Sequence, residues 1–282
     1  MEIDLDILRP WVGRTEEQAE QLTAAQVQRF LATFDRDGPV ADGAEAPLLI
    51  HLCLTQPAVR ASALGADGHP ARGGFLPPVP LPRRMWAGGS FTFHGPLRIG
   101  DLVTRTSRIA DVRVKDGRSG PLCFVTVDHE IRSGPRLAVT ERQDIVYRAL
   151  ESAAPPAAPP PAPPKPAPRG VHHRQMHPDA ALLFRYSALT FNGHRIHYDA
   201  PYVTAKEGYP GLIVHGPLQA TLLAHLAQDV KGRPPRAFRF RSLSPLFDTA
   251  DLTLNATEDG AALSLWTAQP GGPVAMEAQA TW

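Results

Sequence analysis

The sequence predicts an α+β fold built from two similar halves, and three observations carry that reading. Strand-like runs at Ser90–Phe93, Leu102–Val114, Leu122–Ile131 and Leu137–Tyr147 are answered by a second set at Ala237–Ser242, Asp251–Ala256, Ala261–Ala268 and Val274–Trp282. An apolar, helix-like run precedes each set, at Pro47–Leu54 and at His215–Val230. Landmarks also recur in the same order. Phe91-Thr92-Phe93 with Asp101 ten residues after Phe91 matches Phe238-Arg239-Phe240 with Asp248 ten after Phe238. Asp116-Gly117 matches Asp259-Gly260, and Ser133-Gly134-Pro135 matches Gly271-Gly272-Pro273. An apolar helix needs a second layer to cover it, and a curved antiparallel sheet supplies one.

Taken in order, Leu5–Gly13 carries little pattern. Thr23–Phe34 predicts a helix, with Thr23 as cap and Val27, Phe30, Leu31 and Phe34 on one face. Asp35–Ala46 is polar and reads as a loop, and Pro47–Leu54 as the start of a buried helix. Pro70–Gly89 is rich in proline and glycine and reads as irregular, and a long irregular segment in a compact fold is usually functional or wraps the surface. In the meander that follows, Val125, Val127 and His129 alternate with Phe124, Thr126 and Asp128, which marks a strand with one buried face. Asp116-Gly117 and Ser133-Gly134 supply the turns. In the second half, Leu182–Phe191 reads as a strand and Val203–Gly208 as a short helix. His215–Val230 reads as an amphipathic helix with Leu218, Leu222, Leu223 and Leu226 on one face, ended by Gly232-Arg233-Pro234-Pro235.

Between the halves lies the compositional outlier. Of 30 prolines, nine fall between Pro155 and Pro168. Such a run lacks amide donors and favours a polyproline II spacer of ~3.1 Å per residue, enough to extend roughly 40 Å. The expected organisation is an N-terminal unit over 1–150, a spacer over 151–169 and a C-terminal unit over 170–282. The net charge is +1, from 29 basic and 28 acidic residues, which argues against a nucleic-acid partner. The two cysteines, Cys53 and Cys123, sit in apolar company and are expected as buried free thiols. Neither an N-terminal leader nor a membrane-length apolar run is evident, so no membrane partner is expected and a soluble, cytoplasmic protein is.

Phe184–Asp199 carries the chemistry-bearing residues. Its first half reads as a strand containing Tyr186, and Asn192-Gly193 breaks it. Asn192, His194 and His197 then fall within six residues. This stretch resembles the signature of the MaoC-like, hydratase 2 branch of the hotdog fold. Asn192 stands at the position of the family's Asp, Ile196 at its aliphatic position and His197 at its His. A second element, Pro210-Gly211-Leu212-Ile213-Val214-His215-Gly216, is similar to the family's aliphatic-His-Gly run at the head of the central helix. The resemblance extends over nearly the whole chain, closest to the double-hotdog mesaconyl-CoA and itaconyl-CoA hydratases.

That resemblance implies a double hotdog, each unit a long helix wrapped by a curved antiparallel sheet. It implies a hydro-lyase that adds water to a short enoyl-CoA, branched or dicarboxylic, with no cofactor beyond the CoA of the substrate. It also leaves homo-oligomers of double-hotdog chains open. His51-Leu52 occupies the place of His215-Gly216, so the N-terminal copy lacks the glycine and the motif and is expected to be degenerate.

Hydration requires a base for water, a proton for the α-carbon and a donor for the enolate oxygen. His197 is the expected acid-base group, since its ordinary pKa lies near ~6.5. Asn192 can orient water but cannot take its proton. Gly216 is the expected oxyanion donor at a helix N-terminus, with Pro217 as an early helical residue. Arg83, Arg84, Tyr186, Arg195 and His215 are candidates for holding substrate or CoA. Asp199 and Glu207 are the nearby carboxylates, read as capping or solvated. His194, His197 and His215 lack a completing ligand set, so no metal is expected. Two other readings stand beside the hydratase: a hotdog thioesterase, which needs a carboxylate on the central helix, and a non-catalytic acyl-CoA-binding module.

Overall fold

The computed structural model describes residues 3–117, 120–149 and 165–282, so most of the proline-rich spacer lies outside the described residues. The N-terminal half contains α1 (Leu5–Leu8), β1 (Thr15–Gln21), α2 (Ala24–Thr33), β2 (Arg83–Phe93), β3 (Leu102–Gly117), β4 (Gly120–Ser133) and β5 (Arg136–Arg148). The C-terminal half contains β6 (His172–Met176), α3 (Ala180–Leu189), α4 (Ala200–Ala205), α5 (Gly216–Lys231), β7 (Ala237–Ser242), β8 (Leu252–Asp259), β9 (Ala262–Ala268) and β10 (Val274–Thr281).

The ten strands form one antiparallel sheet in the order β1-β3-β4-β5-β2-β7-β10-β9-β8-β6. Reading outwards from the β2–β7 seam, the two halves are images of one another. The seam pairs Gly89 with Phe240, and Phe91 with Phe238, two of the landmarks read as a repeat. Their rings pack within 6.3 Å of one another. Glycine is required here: a Cβ on Gly89 would lie 2.3 Å from the Arg142 carbonyl oxygen and 3.1 Å from the Phe240 ring. The outermost strands, β1 and β6, are Thr-Glu-Glu-Gln-Ala-Glu-Gln and His-His-Arg-Gln-Met. Neither shows an apolar period, because an edge strand with solvent on its outer side can be almost wholly polar.

Helix α5 fills the sheet. Every residue from Leu218 to Ala227 is buried, so the helix is covered all round and not on one face as expected. The sheet takes one side, while Phe30 and Phe34 of α2 take another through the ring of His225. Its buried polar members are bonded in part: Thr267 donates to Gln219 at 2.7 Å, Thr221 to the Pro217 carbonyl at 2.8 Å, and His225 Nε2 lies 3.2 Å from the Leu48 carbonyl, while His225 Nδ1 is buried without a hydrogen-bond partner among the described residues.

Among its described residues the N-terminal half has no counterpart of that length. Pro47–Leu54 makes only a buried 3-10 turn, Ile50–Cys53, instead of a long helix. Leu49 and Thr55 bracket it with φ of 65° and 55°, and left-handed residues at both ends stop helix propagation. α2 does form, with the expected Thr23 cap reinforced by a reciprocal bond from Gln26. Both cysteines are free and buried.

Three further expectations are corrected. Leu182–Phe191 is not a strand but α3 with its C-terminal turn. Asp179 caps it by accepting from Leu182 N at 2.8 Å, and Leu183, Tyr186 and Ser187 bury one helical face. The turn after it rests on Phe191, whose φ is 48°, rather than on a left-handed Asn192-Gly193. The short helix after the signature lies at Ala200–Ala205, earlier than Val203–Gly208, because Asp199 caps it and Pro201 sits in its first turn. Finally, Arg83–Gly89 belongs to strand β2, with a bulge at Trp86/Gly88. Bulges re-aim side chains, and this one lies beside Arg84 and Trp86 on the wall of the main cavity.

Candidate active site

A cavity of about 1290 Å³ opens at the junction of the halves, walled by the signature loop, the head of α5, β2 and the segment 56–77. The loop is shaped locally. Asn192 Oδ1 accepts from His194 N at 3.0 Å, and Arg195–His197 then forms one 3-10 turn. Asp199 caps α4 through Tyr202 N at 3.0 Å and receives Arg195 Nη2 at 2.8 Å. These bonds hold His197 and Asn192 on the cavity wall.

His197 is 7% exposed, and its Nδ1 lies 2.7 Å from the Ile213 carbonyl oxygen. A carbonyl only accepts, so Nδ1 carries the hydrogen and Nε2 keeps its lone pair. Burial pushes the ring's pKa down to about 4, against the opposing pull of that carbonyl. His197 is therefore an uncharged base at neutral pH. The ring of His215 stacks on it at 3.6 Å, and His215 Nε2 lies 2.8 Å from Ser187 Oγ. His215 is 1% exposed and acts as a platform under His197; the wall is made by its neighbours Val214 and Gly216.

Gly216 opens α5, so its amide has no partner within the helix. The side chain of Trp86 covers it, and a Cβ placed there would meet the indole at 3.5 Å, an ordinary contact. Close packing therefore does not explain the glycine, and the first turn of α5 points its positive end toward the cavity. Asn192 engages its carbonyl within the loop, which leaves its NH2 as the group able to donate elsewhere.

The structure separates the remaining candidates. Arg83 is engaged by Glu207, through the Glu207 carbonyl at 2.7 Å and its carboxylate at 3.4 Å, and lies over the Tyr209 ring. Arg195 is engaged by Asp199 and by the Ala66 carbonyl, and lies over Tyr202. Both arginines hold loops together. Glu207 and Asp199 are thereby occupied too, and neither touches His197. Tyr186 is packed in the core with its hydroxyl beside Thr221 and reaches the cavity only as part of its wall. Arg84 differs: it bonds Tyr147, lines the cavity near His69 and His194, and has no acidic partner among the described residues.

Two groups escaped the sequence reading. Asp67 and His69 lie just before the stretch read as irregular, in residues given no expectation, and with His194 their potential ligand atoms lie within 4.8 Å of one another. Asp67-Gly68-His69 was the available signal, a turn with two reactive neighbours. The second group is a buried polar cluster in the N-terminal half. His51 Nε2 lies 3.5 Å from Glu141 Oε2, Gln143 donates to Glu141 at 2.7 Å, and His129 Nδ1 lies 2.8 Å from Ser107 Oγ. Burial alone would raise the Glu141 pKa, but His51, His129 and Gln143 together hold it at about 2. Residues distant in sequence build this cluster, so no local motif announces it.

Comparison with known proteins identifies the family and the fold. Residues 49–248 match the family described as hydroxyacyl-thioester dehydratase type 2. The chain is 47% identical to a mesaconyl-C(4)-CoA hydratase of Chloroflexus aurantiacus, covering 95% of each. It superposes on a MaoC-like dehydratase of Phytophthora capsici with a TM-score of 0.70 at 13% identity, covering 99% of this chain and 98% of that one. A protein of Mycobacterium tuberculosis described as a double hotdog gives 0.59 at 12% identity, with 95% of each covered. The fold is a double hotdog in which, among the described residues, only the C-terminal unit has a long helix, and the chain belongs to the hydroxyacyl-thioester dehydratase type 2 family, whose members are hydro-lyases.

Proposed function

We propose that this enzyme hydrates a short α,β-unsaturated acyl-CoA carrying a second carboxylate, of the mesaconyl or itaconyl type. The observation that carries the reading is the fixed tautomer of His197: Nδ1–H is committed to the Ile213 carbonyl, and the Nε2 lone pair is left for the cavity. Water held by the Asn192 NH2 gives its proton to Nε2 as its oxygen bonds the β-carbon. The thioester oxygen gains enolate charge, which the Gly216 amide and the positive end of α5 stabilise. Arg84 is the cation for the distal carboxylate, since a guanidinium pairs with it in two parallel bonds. The named activity of the Chloroflexus relative supports this substrate class. In this reading the C-terminal half performs the chemistry and the N-terminal half shapes the cavity wall. Thioester hydrolysis is disfavoured because Asp229, the one carboxylate on α5, is held at the far end by Arg36 and Arg174 at 2.7 Å.

The test is incubation with crotonyl-, mesaconyl- and itaconyl-CoA while following enoyl absorbance and free CoA thiol. Loss of absorbance without thiol release is expected, abolished in His197→Ala. Arg84→Leu should raise KM for the carboxylated substrates and leave crotonyl-CoA unchanged. Thiol release, or no turnover of any enoyl thioester, would refute the proposal.

A further inference from the structure

Segment 57–82 leaves the N-terminal half and docks on the signature loop of the other half. Arg195 donates its backbone N–H to the Asp67 carbonyl at 2.9 Å and its side chain to the Ala66 carbonyl at 3.0 Å. Gly68, with φ of +85°, lies so close to Gly193 that a Cβ there would sit 1.9 Å from the Gly193 carbonyl oxygen. This docking lays the His69 ring on His194 at 3.9 Å, and His194 stands edge-on to His197 at 5.5 Å. Asp67 grips His69 twice: Oδ1 accepts the His69 backbone N–H at 3.0 Å, and Oδ2 lies 3.2 Å from Nδ1. All four groups line the one cavity.

We propose that His69, oriented by Asp67, is the second acid-base group of the site and delivers the proton to the α-carbon. The proposal rests on the hydratase reading above and supplies what that reading lacks, because an amide at Asn192 transfers no proton. The step balances. The water oxygen forms a bond to the β-carbon, and the water proton goes to His197 Nε2. The electron pair of the double bond moves toward the thioester and is then protonated at the α-carbon by His69–H⁺. His197–H⁺ returns its proton to His69, and the site is restored. Of the two histidines, only His69 has a carboxylate partner, which suits it to hold the positive charge. Burial pulls both pKa values down, to about 4 for His197, while Asp67 pulls that of His69 back up. The other groups facing His69 are Arg84, Arg72 and His194. The partners assign the roles by geometry: the Asp67 carboxylate beside His69 marks the acid, and the Ile213 carbonyl that fixes Nδ1–H of His197 marks the base.

His69→Gln and Asp67→Asn should both keep the unfolding temperature and the KM for enoyl-CoA, while kcat falls by ~10²–10³-fold in the first, the scale of one acid-base group. The parent should lose rate as pH rises and His69 deprotonates; that alkaline limb should vanish in His69→Gln. Imidazole added to His69→Ala should restore part of the rate. Retention of kcat and pH profile in a folded His69→Gln enzyme would overturn the proposal. So would a divalent metal bound stoichiometrically to the parent, lost in His69→Gln and required for turnover, since Asp67, His69 and His194 would then be its ligands. Failure of the parent to hydrate any enoyl-CoA would fall on the function reading instead.

Discussion

Gly68→Ala tests the docking of the strap directly. At φ of +85° an L-residue is strained, by about 1–2 kcal/mol. The added methyl would also lie 1.9 Å from the Gly193 oxygen and 2.9 Å from its carbon, both backbone atoms that cannot swing aside. The strap must then lift by more than ~1 Å to reach ordinary contact distance. That lift breaks the two bonds from Arg195 to Ala66 and Asp67, each worth about 1 kcal/mol. The sum, roughly 3–4 kcal/mol, shifts the docked population by ~10²–10³-fold. Gly68 packs in neither core cluster, so the global unfolding midpoint should move by only a few degrees. The assay pairs kcat/KM on mesaconyl-CoA with hydrogen exchange over residues 63–72. Faster exchange and a loss of ~10²-fold or more are expected. Gly74→Ala is the control, with open space around it and no left-handed φ. A Gly68→Ala enzyme within threefold of the parent, with unchanged exchange, would show that strap docking does not serve the site.

Three other outcomes follow from the geometry. The folded chain holds His197 and His225 at about 4, against ~6.5 when unfolded, so it binds fewer protons than the unfolded chain between those values. Stability should therefore be full above pH ~6.5 and fall as pH drops toward 4, by on the order of 3 kcal/mol per histidine; an unfolding midpoint flat across that window would contradict it. His51→Ala strips a partner from the buried Glu141 carboxylate and should cost roughly 3–5 kcal/mol by urea unfolding, with turnover still measurable; His197→Ala should do the reverse, and equal loss of turnover in both would contradict the division of roles. Asn192→Asp keeps the acceptor for His194 N and replaces the NH2 with a charged oxygen, so it should raise the pKa of His197 and move the acid limb of the pH–rate profile upward from about 4; an unchanged profile would remove Asn192 from the reacting water.

How much of this was legible in the sequence depends on whether neighbours in sequence made the feature. The Phe91/Phe238 repeat, the capped α2 and the central helix could all be read, because each is written in a local period or a paired landmark. Leu182–Phe191 misread as a strand because aromatic and small residues alternate there, while the Asp179 cap that starts the helix lies three residues upstream. Strands β1 and β6 were invisible because their register is imposed by β3 and β8. The turn that delivers His197 was readable; the strap that brings Asp67 and His69 to it was not, since its docking depends on Gly193, over 120 residues away. Arg83 and Arg84 were equal in the sequence, and only Glu207 and Tyr209, folded against one of them, tell them apart.

The seam between β2 and β7 has a consequence for how such a site can change over descent. When two identical chains assemble, every substitution appears twice, and a mutation useful beside one active site must be tolerated beside the other. Joining the copies in one chain lifts that condition. Among the described residues one half has no long helix and carries the strap; the other has the helix and the reactive loop. The asymmetry that makes this pocket is therefore closed to a pair of identical chains and open to one chain that contains both halves.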